Sequence, residues 1–252
     1  MDKKIDFLGI PLDVLTMSET IQKVEDCIEN REQIHHCVIN AGKVVQMQND
    51  KVLRESVVSS DLINADGMSI VWAARFLGYK IPERVTGIDL MENLVELSFK
   101  KKYKCFFFGA NENIVKKLVN DYSEKYSKDL IAGYQNGYYD DSEESEIVEQ
   151  IRKSKVNILF VAMNSPKKEI FLNAHKKELG NINFIMGVGG SFDVISGEAN
   201  RAPEFMQSVG LEWFYRFIQE PRRMWKRYLI GNFEFIVLIL KAKFKHISIK
   251  KL

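Results

Sequence analysis

Residues 105–126 read CFFFGANENIVKKLVNDYSEKY, and this stretch decides the fold. Cys105–Phe108 is a short apolar run closed by a glycine, the pattern of a strand buried on both faces. From Ile114 to Tyr126 the apolar positions 114, 115, 118, 119, 122 and 126 recur at helical spacing. A strand therefore runs into a helix through the small turn Gly109-Ala110-Asn111. The same alternation extends in both directions. Strands are predicted at Ile5–Ile10, His36–Asn40, Leu62–Asn64, Leu130–Tyr134, Val156–Ala162 and Phe184–Gly187, with helices near 18–30, 43–58, 67–78, 88–102, 112–126, 142–153 and 167–179. Ser18 before Glu19, and Ser142 before Glu143-Glu144, supply helix starts. Such alternation predicts an α/β fold, a mostly parallel sheet flanked by helices on both faces.

The character changes after Gly197. Residues 201–252 hold 11 Lys/Arg against 4 Asp/Glu, whereas residues 1–200 hold 25 against 30, so a net charge of +2 conceals a basic tail on an acidic body. The expected division is an α/β core over 1–200 and a basic, aromatic appendage over 201–252. The appendage is read as two amphipathic helices, about 205–219 and 222–242, broken at Pro221. In it Arg216, Arg222, Arg223, Lys226 and Arg227 interleave with Trp213, Phe214, Tyr215, Phe217, Trp225 and Tyr228. Rings beside cations suit a bilayer interface and an anionic membrane surface; a terminal helix pair packed on the core, with its cations merely solvated, is the alternative. Nucleic acid is disfavoured because the body would repel a polyanion.

Composition sets further bounds. The 252 residues are 46% hydrophobic and 28% charged, as in an ordinary folded protein. Three scattered cysteines, Cys27, Cys37 and Cys105, form no CxxC pair and fit a reducing, cytoplasmic setting. Acidic residues in the first fifteen positions do not fit a signal peptide. The longest apolar run, Phe235–Leu240, is far shorter than the roughly 18–20 residues of a spanning helix.

In doubly wound sheets ligands bind where strands end. The residues found there are Asn40-Ala41-Gly42-Lys43, Asn64-Ala65-Asp66-Gly67, Gly109-Ala110-Asn111, Asn164-Ser165-Pro166-Lys167-Lys168-Glu169 and Gly187–Asp193. Asp66 is a helix cap or a catalytic base, and the local pattern favours the cap. Arg84, ahead of a helix that Thr86 can cap, is a diphosphate ligand or a surface arginine. Gly109 and Asn111 form either a phosphate cradle or a tight turn. The loop Gly187–Asp193, with Gly189, Gly190 and Asp193, resembles a glycine-rich nucleotide loop, yet GxGxxG needs glycine where Phe192 stands. That mismatch disfavours a nucleotide-dependent oxidoreductase. His35 and His36 are adjacent and point to opposite faces of a strand, His175 and His246 read as surface residues, and Asp-x-Asp does not occur; the expected chemistry uses no metal and no cofactor. Asp140-Asp141 with Glu143-Glu144 reads as a solvated helix start.

Taken together, Asn64-Ala65-Asp66-Gly67, Pro82–Asp89 (PERVTGID), Ser165–Glu169 (SPKKE), Gly187–Asp193, Gly197–Pro203 (GEANRAP) and Gly210–Trp213 running to Pro221-Arg222-Arg223 resemble the WecG/TagA/CpsF glycosyltransferases across nearly the whole chain. The resemblance implies a Rossmann-like core, a C-terminal appendage that completes the site at the membrane, and inverting, metal-independent transfer from a UDP-sugar to a sugar on undecaprenyl diphosphate. It implies Asp66 as base, Arg84 as stabiliser of the leaving UDP, Asn40 as a positioning residue, and Arg216 and Arg223 as ligands of the lipid diphosphate. Lys168, Glu169, Gly189, Gly190, Asp193, Gly109 and Asn111 complete the expected substrate-binding set. It also implies a place at the inner face of the cell membrane, in the assembly of cell-envelope polysaccharide or teichoic acid. An exposed tail favours self-association into a homo-oligomer when no membrane is present.

Two departures mark this chain. Val38 and Ala41-Gly42-Lys43 replace a Thr before, and an acidic residue after, the position of Asn40, and Lys168 replaces a Gln. Both bear on what the pocket accepts and leave the sugar open. A non-catalytic peripheral membrane protein explains the tail but not the polar residues gathered at strand ends.

Overall fold

The computed structural model describes residues 4–249, apart from the side chains of Ser208, Arg223, Lys226, Arg227 and 245–249. The strands are β1 (Lys4–Phe7), β2 (Ile10–Asp13), β3 (Ile34–Ile39), β4 (Leu62–Ala65), β5 (Cys105–Gly109), β6 (Ile131–Gln135), β7 (Ile158–Ala162) and β8 (Phe184–Gly187). The helices of the first two hundred residues are α1 (Met17–Glu29), α2 (Ala41–Asn49), α3 (Lys51–Val58), α4 (Met68–Leu77), α5 (Gly87–Lys101), α6 (Glu112–Lys125), α7 (Glu144–Lys153), α8 (Lys167–Ala174) and α9 (Ser191–Ile195). The tail carries α10 (Glu204–Ser208), α11 (Glu212–Gln219), α12 (Pro221–Trp225) and α13 (Gly231–Ile249), with a π-helical stretch, Lys226–Ile230, before the last.

Strands β3 to β8 form one parallel sheet in the order β4-β3-β8-β7-β5-β6. Side chains alternate between its faces. Cys105 and Phe107 of β5, with Phe160 of β7 and Phe184 of β8, join Leu94 of α5 and Leu118 of α6 on one side. Phe106, Phe108, Leu159 and Val161 turn to α7 and α8 on the other. Beside them Cys37 and Ile39 of β3 face α2 and α4. The α/β expectation holds, and within the large sheet every described pairing is parallel.

Some local expectations are corrected. The segment read as one strand, Ile5–Ile10, is instead an antiparallel hairpin, β1 against β2. Leu8 (φ 58°) and Gly9 (φ 77°) both take the left-handed conformation that tight hairpin turns need. A leucine there gives no sequence cue. The helix expected over 43–58 breaks at Asp50, whose carboxylate accepts from Leu53 N at 2.9 Å and starts α3 afresh. Helix α1 starts at Thr16, not Ser18: Thr16 Oγ1 accepts from Glu19 N at 3.1 Å while Glu19 accepts from Thr16 N at 2.8 Å. His175 is not a free surface residue; its ring lies between Glu144 (2.9 Å) and Glu178 (3.0 Å).

The tail departs from two simple helices. Gly210 (φ 75°) separates α10 from α11, and a Cβ there would sit 2.8 Å from Met68 Cβ, so the turn lies directly on α4. Pro221 ends one helix and opens the next, where its missing N–H costs nothing. Phe235 and Ile239 of α13 are buried in the same apolar cluster as Val44 of α2 and Ile70 of α4. One face of α13 is thus part of the core, while Phe233, Ile236 and Leu240 remain exposed. Among the described residues no helix is long and apolar enough to cross a membrane.

Candidate active site

A cavity of about 940 Å³ opens at the carboxyl ends of β4, β3, β8 and β7 and is roofed by the tail. Its lining combines two kinds of residue. Asn40, Asp66, Arg84, Ser165, Lys168 and Arg216 bring polar groups to it. Trp72 and Phe76 of α4, with Phe235, Ile236, Ile239 and Leu240 of α13, bring apolar surface.

Asp66 follows β4, and its N–H donates to Ile39 O of the neighbouring strand at 3.0 Å, which fixes the backbone. It does not cap the helix that follows it: α4 begins at Gly67 without a side-chain cap. Asp66 Oδ1 instead accepts from Gly87 N, the first residue of α5, at 3.0 Å. Free amides and the positive end of that helix favour a carboxylate there. Among the described residues Oδ2 has no hydrogen-bond partner, and the residue borders the cavity. One oxygen is held and the other is available to a ligand.

Arg84, half-buried, reaches across to the tail, with Nη1 3.2 Å from Glu212 Oε2. Glu212 Oε1 lies 3.9 Å from Arg216 Nη2 one turn along α11. One carboxylate thus sits between the two guanidiniums expected to hold diphosphate. Arg201 of the GEANRAP segment meets Asp89 of α5 at 2.6 Å, so two motifs far apart in sequence are joined.

Asn40 caps α2, its Oδ1 accepting from Lys43 N at 3.0 Å, and lines the cavity. Below it lies a buried charge cluster. Glu169 Oε1 is 2.7 Å from Lys43 Nζ and 2.6 Å from Lys168 Nζ. These are approaches of charge to charge, since neither carboxylate oxygen meets hydrogen-bond geometry. Burial pushes the Glu169 carboxyl up, but the two ammoniums outweigh it and hold the group down at about 2. Burial, and then the neighbouring Lys43, push the Lys168 ammonium down. Asn64 of the NADG segment is structural: its Oδ1 meets His36 Nε2 at 2.9 Å in the core. Burial lowers His36 to about 3 and His35 to about 4, so both are neutral in the fold.

The structure brings Asn40, Asp66, Arg84, Lys168, Gly189, Gly190 and Arg216 to one cavity. Glu169 stands just behind Lys168. Gly109, Asn111 and Asp193 do not line the cavity. Strand β5, which ends at Gly109, lies four places from β4 in the sheet, about 19 Å at ordinary strand spacing. Gly109 is required by packing, since a Cβ would come within 2.3 Å of Ala162 O. Asn111 caps α6 through Ile114 N at 2.9 Å. Asp193 sits in the first turn of α9. Arg223 belongs to α12, with its side chain outside what is described.

Sequence reasoning gave no role to Glu212, Lys43, Trp72 or Phe76. Glu212 stood inside a quoted segment without a function, and Lys43 stood at a strand end and as a departure, with no role of its own. Trp72 and Phe76, four residues apart on one helix, look like core positions; only the placement of α13 shows them as a cavity wall. Among the described residues no three His, Cys, Asp or Glu side chains are grouped to hold a metal ion.

A family model for the glycosyl transferase WecG/TagA/CpsF family matches residues 5–248. A Bacillus subtilis (strain 168) protein named N-acetylglucosaminyldiphosphoundecaprenol N-acetyl-beta-D-mannosaminyltransferase is 37% identical over 171 residues, 68% of this chain and 65% of that protein. The match thus spans just under two thirds of that relative's length. A Bacillus spizizenii protein of the same name is 35% identical over 196 residues, 77% of this chain and 74% of its own. A Staphylococcus aureus (strain MW2) protein, again of that name, is 26% identical over 244 residues, 96% of this chain and 95% of its own.

Proposed function

The chain belongs to the WecG/TagA/CpsF family of glycosyltransferases, and from that premise we propose that it moves a hexose or N-acetylhexosamine from a UDP-sugar to a sugar carried on a polyprenyl diphosphate. The relatives' names supply an undecaprenyl-diphosphate-linked N-acetylglucosamine as the first acceptor to consider and N-acetylmannosamine as the first donor sugar. The observation that carries the reading is the meeting of Asp66 and Arg84 in one cavity that also has an apolar lining.

In the transfer, the acceptor hydroxyl oxygen attacks the anomeric carbon of the donor as the bond from that carbon to the UDP oxygen breaks. The hydroxyl proton passes to Asp66 Oδ2, while Oδ1 stays on Gly87 N and keeps the carboxylate aimed. The bonding pair leaves with UDP, and a single displacement inverts the anomeric centre. Arg84 supplies the positive charge that the departing UDP needs, so the reaction is assigned no metal, and Arg216 grips the diphosphate of the lipid acceptor. Asn40 positions the sugar.

The diphosphate and hydroxyls of a nucleotide sugar are polar, and only the uracil face and an acetamido methyl offer the apolar lining a small surface to cover. The first isoprene units of a polyprenyl acceptor fit it, entering between Trp72 and Phe76 on α4 and Ile236 and Leu240 on α13. Exposed Trp213, Phe214, Ile218, Leu229 and Phe233 carry apolar surface outward from that mouth, beside basic residues. This arrangement supports a peripheral seat on an anionic membrane, at its inner face, where the tail completes the site. Without a membrane the same surface suits a second copy of the chain. A non-catalytic membrane protein would use that surface equally well, but it would have no use for an aimed carboxylate.

The test is a panel of UDP-sugars with a short prenyl-diphosphate N-acetylglucosamine, read as UDP release. Acceptor-dependent release with at least one donor is expected. Release from no donor, with acceptor present and protein folded, overturns the enzyme reading.

A further inference from the structure

We propose that Lys168 and Ser165 form an oxyanion-binding subsite on the cavity floor, for a phosphoryl or carboxylate oxygen of the donor; this rests on the reading that a nucleotide sugar occupies the cavity. The Lys168 side chain is only 8% exposed. Its stem lies across the end of β8, where a Cβ on Gly187 would come within 3.1 Å of Lys168 Cδ and 3.2 Å of Cε. The glycine makes room for the lysine stem beside the cavity.

At contact distance two buried ammoniums meet a single carboxylate, Glu169, with Asp66 acting on Lys43 from farther away. Lys43 also donates to Val38 O at 2.7 Å and to Cys37 Sγ at 3.6 Å. Lys168 lines the cavity and has no partner among the described residues besides Glu169, which leaves ammonium N–H donors unused. Ser165 lines the same floor, and its Oγ is buried without a hydrogen-bond partner. A buried cation with unused donors, next to a buried unused hydroxyl, is costly unless an anion completes it. Gly189, nearby in the wall, has open space where a side chain would stand, so a ligand is free to approach.

The oxyanion has two sources in a nucleotide sugar, the diphosphate and a carboxylate on the sugar, as in a hexuronate. Calorimetry on the full-length protein separates them. If the subsite holds phosphate, Lys168→Gln weakens UDP binding by about 10- to 100-fold, the loss of one charge-assisted hydrogen bond, while uridine binding is unchanged. If it holds a sugar carboxylate, the variant binds UDP as the wild type does but loses a preference of similar size for a UDP-hexosaminuronate over the UDP-hexosamine. Lys168→Arg keeps the charge and retains most of the affinity in either case. Should Lys168→Gln fail to fold, Ser165→Ala, which leaves every charge in place, takes over the same comparison with a few-fold effect. Wild-type affinity of the folded variant for UDP and for both sugar classes overturns the proposal. These readouts need no turnover, so they stand apart from the UDP-release assay.

Discussion

Replacing Glu212 by Gln tests whether the carboxylate between Arg84 and Arg216 holds the place of a substrate diphosphate. The substitution keeps the shape of the side chain and removes its charge. Arg84 and Glu212 are each 17% exposed and 3.2 Å apart, whereas Arg216 is 48% exposed and 3.9 Å away, so the Arg84 pair dominates. An exposed ion pair contributes about 0.2–1 kcal/mol, and breaking a buried one costs about 3–5 kcal/mol. A half-buried pair falls between, at about 1–2 kcal/mol. An incoming diphosphate must displace Glu212 or sit beside it, and either event opposes binding by about that amount. Glu212→Gln is therefore expected to tighten UDP binding by about 5- to 30-fold, read by calorimetry at low salt. The gain should shrink as ionic strength rises and the charges are screened. Equal or weaker binding of UDP by a folded Glu212→Gln would refute the reasoning and make Glu212 a strut that orients Arg84.

Acid should destabilise the protein over a defined range. His35 and His36 titrate near 4 and 3 in the fold and near 6.5 when unfolded, so the unfolded chain binds more protons between those values. Stability should fall as pH drops below 6.5, by about 1.4 kcal/mol per pH unit for each histidine, and flatten for each below its folded value. Glu169, held near 2 against an ordinary 4.5, adds stability that is present above pH 4.5 and lost from there down to 2, and Glu169→Gln should remove that part of the curve. Denaturant melts at stepped pH measure both. Phe235→Ala, which empties a buried position where α13 meets α2 and α4, should cost about 3–5 kcal/mol in the same melts. Phe233→Ala, two residues away and 67% exposed, should change stability by no more than about 0.5 kcal/mol while weakening liposome binding. Trp72→Ala should raise KM for acceptors with long prenyl chains and leave KM for the UDP-sugar unchanged; an equal effect on both would remove the prenyl chain from the apolar lining.

The sheet was legible because its strands are buried on both faces and read as apolar runs, as at Cys105–Phe108 and Val156–Ala162. Strand order was not, since pairing depends on crossovers that leave no local trace. That order decides which strand-end loops meet: it gathers Asn40, Asp66 and Lys168 and puts Gly109 and Asn111 beyond the cavity. Asp66 shows the same limit. Its sequence neighbour is α4, yet its hydrogen bond goes to Gly87, twenty-one residues on, a choice made by tertiary packing. The tail was readable as basic and amphipathic, but periodicity alone could not say that Phe235 and Ile239 join the core cluster or that they, with Ile236 and Leu240, line the cavity. Glu212 carried no signal, because an acidic residue in a basic helix reads as a solvated charge until Arg84 is placed beside it.

The central claim is that Asp66 takes the proton from the acceptor in a transfer driven by departure of UDP. Its most direct test compares Asp66→Asn with the wild type in two measurements on the same preparations, UDP affinity and acceptor-dependent UDP release. UDP affinity should stay within a few-fold of wild type and release should fall by about 10²–10⁴-fold, the usual contribution of a general base. Release at the wild-type rate from the folded variant would contradict it.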